Sequence, residues 1–388
     1  MPPLRPPIVV VAPDSFKGSL GAPAVCAAIA RGVRRVWPDA EIRACPMADG
    51  GEGTLDAVLS RGGQRQTMIV AGAGGAQRSA AYGIVARTEG ATAIIEAAEI
   101  VGITDPGGMA TEVTARSTKG IGAMIRALLD AGVRRFMIAL GGSSTNDGGA
   151  GMLVALGLSL ADAAGRIIDP TPEATAALAA VDATRLDTRL ARARFTIMSD
   201  VSNPLTGSDG ATAVFGSQKG VRAERIGELD ARLARFAALA EKAIGRAAED
   251  KPGAGAAGGL GFALLLIGGE MRSGAEVVAD LIGLDAALDG ADWLITGEGR
   301  TDMQTLRGKT PWVVARRGAQ AQVPATLISG GIDRTALPAL AERFAGCFSL
   351  ADGPMTLEDC VANAARLLAD RAEQAGRLYA AARGAGAA

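Results

Sequence analysis

Three clusters in this chain combine glycine with carboxylates just past apolar runs, and a shorter fourth keeps the acid without the glycine, a pattern of residue types that suits the handling of phosphate. In ALGGSSTNDGGAG (residues 139–151) the apolar run Phe136 to Leu140 leads into Gly141 and Gly142. Ser143, Ser144, Thr145, Asn146 and Asp147 follow, and Gly148 and Gly149 open an amphipathic segment. Glycines let backbone N–H groups approach a ligand, and a helix N-terminus adds unpaired donors and partial positive charge. Asp147 could add a metal or hydroxyl partner. The competing reading is an Asx turn with an N-cap, which favours the same residues. A cap alone seldom needs so many glycines.

The second cluster, PMADGGEG, sets Asp49 and Glu52 beside Gly50 and Gly51 on a turn ahead of a helix. Two carboxylates with backbone donors suit Mg²⁺ plus a polyol or phosphate; an acidic first helical turn is the plainer alternative. It is not a dinucleotide fingerprint, because after Gly51 and Gly53 the third glycine position is Asp56. The third cluster, LITGEGRTD, continues to Pro311 and carries Glu298, Arg300, Asp302 and Lys309. Gly308-Lys309-Thr310 resembles the tail of a phosphate loop, but Met303 occupies the required leading glycine position, so this is no Walker A motif. Lys309 could still balance phosphate charge; surface loop charge explains it equally. In the fourth, IMSDVSNP, Asp200 follows a strand and Pro204 pre-orders Asn203. Both supply hard oxygens fit for Mg²⁺, although an Asn-Pro turn accounts for them too. Near the N-terminus, APDSFKGS adds Asp14, Ser15 and Lys17, where a lysine could hold a carboxylate substrate and a helix cap is the alternative.

There is no histidine among the 388 residues, which leaves Asp, Glu, Lys and backbone groups for any chemistry, with a carboxylate the expected base. The inventory suits ATP–Mg²⁺ phosphoryl transfer to a small hydroxylated acid, a reaction in which positioning and electrostatics do most of the work. Recurrence of one pattern at several strand ends points to one composite site.

The elements that would carry these clusters alternate. Short β-rich runs occur at Ile8 to Ala12, Glu41 to Pro46, Thr67 to Val70, Ala93 to Glu96, Phe136 to Leu140, Phe195 to Ser199, Trp293 to Thr296 and Ala325 to Ser329. Helical spacing lies between them, as at Val25, Ile29, Val33 and Val36. Strands alternating with helices imply an α/β fold with parallel sheet, whose ligands bind at strand carboxyl ends. Two domains are the expectation at this length. The glycine-rich breaks are residues 72–75 and 250–261; the second could be a linker, but the adjoining LGFALLLIGG is apolar and expected to be buried.

Composition is 48% hydrophobic and 21% charged, with 40 basic and 41 acidic residues. That balance gives no electrostatic case for nucleic acid or an anionic membrane. Apolar runs fall far short of the ~18 residues of a membrane span. The four cysteines show no CxxC spacing. A reduced, cytoplasmic protein acting on a small molecule, as monomer or homodimer, is expected.

In this order the motifs resemble the bacterial glycerate kinase family of the glyoxylate and sugar-acid degradation type. APDSFKGSL, MADGGEGTLDA, LLDAGVRRFMIALGGSSTNDGGAG, SDVSNPLTGSDGATAVFGSQKG and ITGEGRTDMQTLRGK carry the likeness, which runs from Ile8 to about Arg371. It implies ATP- and Mg²⁺-dependent conversion of (R)-glycerate to 2-phosphoglycerate. It also implies two α/β domains with the site between them: a flavodoxin-like parallel sheet formed by both chain ends (1–66 and 285–388), and an inserted mixed α/β, restriction-endonuclease-like domain (67–284). On the positions that match its motifs, Asp200, with Asn203, is expected to hold Mg²⁺, and Lys17 and Arg300 to meet glycerate carboxylate or phosphate, with Asp302 beside them in the catalytic set. Gly141 to Thr145 would donate backbone N–H groups to phosphate, and Asp49 would accept the hydroxyl proton. Two stretches depart from the family. Its aromatic-Gly-Thr-Gly-Glu string reads Lys119 to Ala123 here, and its Ala-Ala-Ala-Ser-Gly run becomes Ala97 to Gly102. If these line the acceptor pocket, a related acid is the alternative substrate. Formation of 3-phosphoglycerate, or a non-catalytic nucleotide sensor on the same fold, are the other readings.

Overall fold

A computed structural model describes residues 5–86 and 90–386; the outermost ends of the first expected domain, 1–4 and 387–388, lie outside the described residues. The chain forms two compact α/β units, one comprising Met1–Asp49, Asp56–Arg61 and Ala275–Ala388, the other Gly50–Leu55 and Gly62–Gly274.

In the first unit a parallel sheet forms whose three middle strands are apolar runs buried on both faces, while the two edge strands are only partly buried. Strands Glu41–Ala44, Ile8–Val11, Trp293–Thr296, Ala325–Ser329 and Gly346–Ser349 lie in that spatial order, all parallel. Counted along this unit the order is 2-1-3-4-5, that of a flavodoxin-like sheet. The sheet's central strand, Trp293–Thr296, and its neighbour Ile8–Val11 come from opposite chain ends, pairing Val9 with Trp293 and Val11 with Ile295. Order reverses between them, which places the ligand crevice past their carboxyl ends. The loops there begin at Ala12 and Gly297.

Helix Ala22–Val36 starts with a proline in its first turn and ends with Arg34 and Arg35, matching the macrodipole. It buries Val25, Ile29 and Val33 in a core shared with Leu367, Leu368 and Ala372 of helix Ala364–Gly386. Gly32 permits that packing, since a Cβ there would sit 2.1 Å from the Ala369 carbonyl oxygen. Trp293 stacks on Tyr379 at 4.9 Å and donates its indole N–H to the Thr326 hydroxyl at 2.9 Å.

The second unit has a mixed sheet in the order Glu270–Arg272, Arg194–Met198, Arg135–Ala139, Thr92–Glu96, Gln77–Val85, Gln64–Ala71. The first four strands are parallel, and the last two join antiparallel as a hairpin. Residues 72–75 make its turn. The second glycine-rich break is core and not a linker. Helix Ala256–Leu266 is buried almost throughout, with Ala257, Gly258 and Gly259 in left-handed conformation. A Cβ at Gly258 would lie 2.0 Å from the Thr145 carbonyl oxygen, so this segment presses directly on the loop after Arg135–Ala139.

Both departures from the family pattern fall in this unit's packing. Helix Lys119–Asp130 uses Gly120 and Gly122 for close approach, with hypothetical Cβ atoms 1.9 Å from Ala71 oxygen and 2.3 Å from Met152 oxygen. Helix Ala97–Val101 buries Ala97, Ile100 and Val101. Among the described residues no helix is long and apolar enough to cross a membrane.

Replacing Gly32 by Ala should destabilise the fold by about 1–3 kcal/mol, the usual cost of overpacking. Urea unfolding measures it, and an unaltered midpoint would show that the two helices can part without cost.

Candidate active site

The switch-point crevice of the first unit is a cavity of about 640 Å³. Asp14, Ser15 and Lys17 enter it from the loop after Ile8–Val11, Asp49 from the loop after Glu41–Ala44, and Glu298 and Arg300 from the loop after Trp293–Thr296. Lys309, at the N-cap of helix Thr310–Gln320, closes the polar side. A two-stranded parallel bridge, Arg300–Thr301 with Gly331–Ile332, holds the third loop against the next one.

Asp14 is buried, and its two oxygens are each met by a donor. Oδ1 accepts from the Ser15 amide at 2.6 Å and Oδ2 from the Thr310 hydroxyl at 2.9 Å. Burial, with the charge of Asp49 adding to it, pushes the Asp14 carboxyl up to about 7 against the pull of those bonds and of Lys17. A carboxylate near neutrality is poised to exchange protons at working pH. Lys17 Nζ lies 3.6 Å from Asp49 Oδ2. Glu298 is also buried, and desolvation raises its carboxyl; Oε1 accepts from the hydroxyls of Thr305 at 2.6 Å and Thr301 at 3.0 Å. Among the described residues Arg300 and Lys309 make no ion pair within 4.0 Å; both face the cavity, where the charge of Lys309 acts on Glu298 and that of Arg300 on Asp333.

Asp302 does not line this cavity. Its Oδ1 accepts from the Gln304 amide at 2.8 Å, and its own amide donates to the Thr305 hydroxyl, so it orders the turn that carries Thr305 to Glu298.

The second unit gathers the other clusters. Gly50 and Gly51 pack against Gly141: the Gly141 amide donates to Gly50 oxygen at 3.1 Å, and a Cβ on Gly141 would fall 2.5 Å from Gly51 Cα. Glu52 is exposed. Ser143 to Asp147 are buried. Ser144 spends both its amide and its hydroxyl on the Val101 carbonyl, each at 2.8 Å. Asp147 accepts from the Thr118 amide and hydroxyl and from the Gly149 and Gly151 amides at 2.7–3.1 Å. Those two side chains therefore build the loop. Gly142, at φ +74°, is its exposed point. Asn146 donates to the Thr212 hydroxyl at 2.9 Å, while its Oδ1 and the Thr145 hydroxyl are buried without a hydrogen-bond partner.

Two buried cations that the sequence reading missed support this loop. Lys219 donates to Thr145 oxygen at 2.8 Å, and burial pushes it down to about 7, with Asp147 opposing and Arg116 assisting. The Arg116 guanidinium donates to the carbonyls of Met109, Thr111, Ser144 and Lys219 at 2.9–3.1 Å. Lys219 stands within the quoted string GSQKG, whose glycines were its only signal.

Asp200 is exposed at a strand end, where Oδ1 accepts from the Gly274 amide at 3.1 Å. Asn203 donates its amide nitrogen to Asp209 oxygen at 2.7 Å, which turns its own side-chain oxygen away from that bond. No group of three or more Cys, Asp or Glu able to hold a metal occurs among the described residues. One carboxylate and one amide suit Mg²⁺ that brings most of its oxygens with a phosphate ligand.

A parallel α/β unit with a charged cavity at its switch point, together with a mixed α/β unit, defines a two-domain α/β protein. Residues 9–380 match the family model described as the glycerate kinase family. A Bacillus subtilis strain 168 protein called glycerate kinase is 41% identical over 93% of this chain and 94% of its own length. The Escherichia coli K12 protein called glycerate 2-kinase is 39% identical over 84% and 85%. A crystal structure from Salmonella typhimurium LT2, provisionally named glycerate kinase 2, superposes with TM-score 0.84 at 39% identity, covering 98% of this chain and 100% of that one. The chain belongs to the glycerate kinase family, and so to the kinases.

A carboxyl that holds its proton more tightly in the folded than in the unfolded chain stabilises the fold fully below its unfolded value of 3.8, and that contribution is lost as pH rises through about 7. Asp14→Asn should therefore gain thermal stability over the parent as pH goes from 5 to 8.5, by about 2 °C or more. Melting curves at the two pH values read it; an equal offset at both would mean that Asp14 does not titrate there.

Proposed function

We propose that this chain transfers the γ-phosphoryl group of ATP–Mg²⁺ to (R)-glycerate, giving 2-phosphoglycerate and ADP. Family membership supports the acceptor class, and the name of the Escherichia coli relative supports the C2 position. The observation that carries the reading is the first unit's cavity, where two carboxylates from separate strand ends, Asp14 and Asp49, meet Lys17, Arg300 and Lys309. A kinase needs that combination: cations to neutralise charge on the moving phosphoryl group and an acid–base group beside the hydroxyl.

In this reading Asp49 takes the proton of the acceptor hydroxyl as its oxygen bonds to phosphorus and ADP leaves. Lys17 and Arg300 balance the glycerate carboxylate or the phosphate, and Lys309 adds to the latter. Asp14, Ser15 and Glu298 fix the loops on which these cations stand, and Asp302 acts through the turn it orders. In the second unit, Asp200 and Asn203 are assigned to Mg²⁺, and the loop from Gly141 to Thr145 to phosphate through its exposed backbone at Gly142. Magnesium, bound with the nucleotide, would supply charge neutralisation at the phosphates.

Phosphorus NMR of a reaction with (R)-glycerate and ATP should show 2-phosphoglycerate with ADP. 3-Phosphoglycerate would reverse the regiochemistry, faster turnover of a larger hydroxy acid would move the acceptor, and ATP binding without turnover of any hydroxy acid would make the chain a sensor. Asp49→Asn should lower kcat by about 10²-fold or more. A near-normal kcat in that variant would remove Asp49 from the proton transfer and leave Asp14 as the remaining carboxylate in reach of the task.

A further inference from the structure

The first unit's cavity has a second face that the phosphoryl chemistry does not use. Besides the charged loops it is lined by Phe16, Leu350, Leu357, Cys360, Val361 and Ala364. Helix Leu357–Ala362 is short, and none of its residues is buried. Leu357 is 80% exposed and Val361 39%. Their i, i+4 spacing puts both on one side, with Cys360 adjacent. An amphipathic helix normally turns such residues into a core; this one turns them to a cavity.

The helix is held in that attitude. The Thr356 hydroxyl accepts from the Asp359 amide at 3.1 Å and donates to the Asp359 carboxylate at 2.7 Å. The Ser19 hydroxyl donates to Val361 oxygen at 3.0 Å, which ties the helix to the loop bearing Lys17. The cavity's volume, about 640 Å³, falls in the ~300–1,000 Å³ range of sites for drug-sized ligands and cofactors and greatly exceeds what a three-carbon acid fills. One occupant is needed that is flat and apolar at one end and polyanionic at the other.

We propose that the first unit's cavity is the nucleotide site, with the purine of ATP lying on Leu350, Leu357, Cys360 and Val361 and its phosphates directed to Lys17, Arg300 and Lys309. This rests on the ATP-dependent reading above and adds where the nucleoside lies. A purine face against aliphatic side chains recovers the apolar area that Leu357 and Val361 now expose to water. Arg300 and Lys309, which make no ion pair within 4.0 Å among the described residues, receive the phosphate charge in the same cavity.

Steady-state kinetics of Leu357→Asp in the full chain tests the proposal. Leu357 is too exposed for its replacement to threaten the fold. The KM for ATP should rise about tenfold, the loss of one good apolar contact, while the KM for glycerate stays within about twofold. A rise in the glycerate KM with the ATP KM held would overturn the assignment. Alkylation of Cys360 by N-ethylmaleimide, followed by peptide mass spectrometry, reads the site without turnover. ATP should slow it and inorganic tripolyphosphate should not, because only ATP carries a base; Cys347, outside the cavity, serves as the internal control. Equal protection by tripolyphosphate, or none by ATP, would sink the purine assignment. Absence of any glycerate kinase activity would instead strike the functional reading and leave the protection result standing.

Discussion

A carboxyl in the loop after the first strand, buried almost completely, keeps a donor on each of its oxygens, and these only partly offset the burial that holds its proton up to about 7. Asp14 receives them from Ser15 next to it and from Thr310, 296 residues further on. Without that pair the ionised form would be costlier still. The bond also locks the start of helix Thr310–Gln320, and therefore Lys309 at its cap, against the loop that carries Lys17. One buried acid thus fixes where two of the cavity's cations stand, and its neighbour Asp49 raises its proton affinity further. Stability and chemistry compete at this one side chain.

The second unit solves a related problem with opposite signs. Lys219 and Arg116 sit in its interior, and their donors go to backbone carbonyls of the Ser143 to Asp147 loop and its neighbours. Carbonyl acceptors let buried cations be satisfied without a matching set of buried acids, although Asp147 lies close enough to stabilise the charge of Lys219. Glycine does the rest, since Gly141, Gly258 and Gly259 allow three backbone segments to touch where any side chain would collide.

Much of this was legible in the sequence. All eight β-rich runs form strands, because short runs of β-branched and apolar residues bounded by turn residues suit a buried sheet. Strand Gln77–Val85 went unread because Ser79, Ala80, Ala81 and Gly83 give no β-branched run; its hairpin partner holds it in place. Strands Glu270–Arg272 and Gly346–Ser349 are short sheet edges whose only signal is the ladder they join. In the candidate site, Asp14, Lys17, Asp49, Glu298, Arg300 and Lys309 do share a cavity, as polar residues at neighbouring strand ends should. Lys219 and the apolar wall around Leu357 were invisible for one reason: burial of the first and exposure of the second are set by distant packing, not by local pattern.

The threading of the chain has a consequence for biosynthesis. Ile8–Val11 must wait for Trp293–Thr296 before its central pairing can form, and every strand of the mixed sheet leaves the ribosome in that interval. At the ~5–20 residues per second of translation the delay lasts roughly 15–60 seconds. During it the nascent parallel sheet has an unpaired apolar edge. A chaperone that shields Val9 to Val11 would be most useful in that window, and the mixed-sheet unit, complete once residue 274 emerges, is free to fold ahead of the unit that encloses it in sequence.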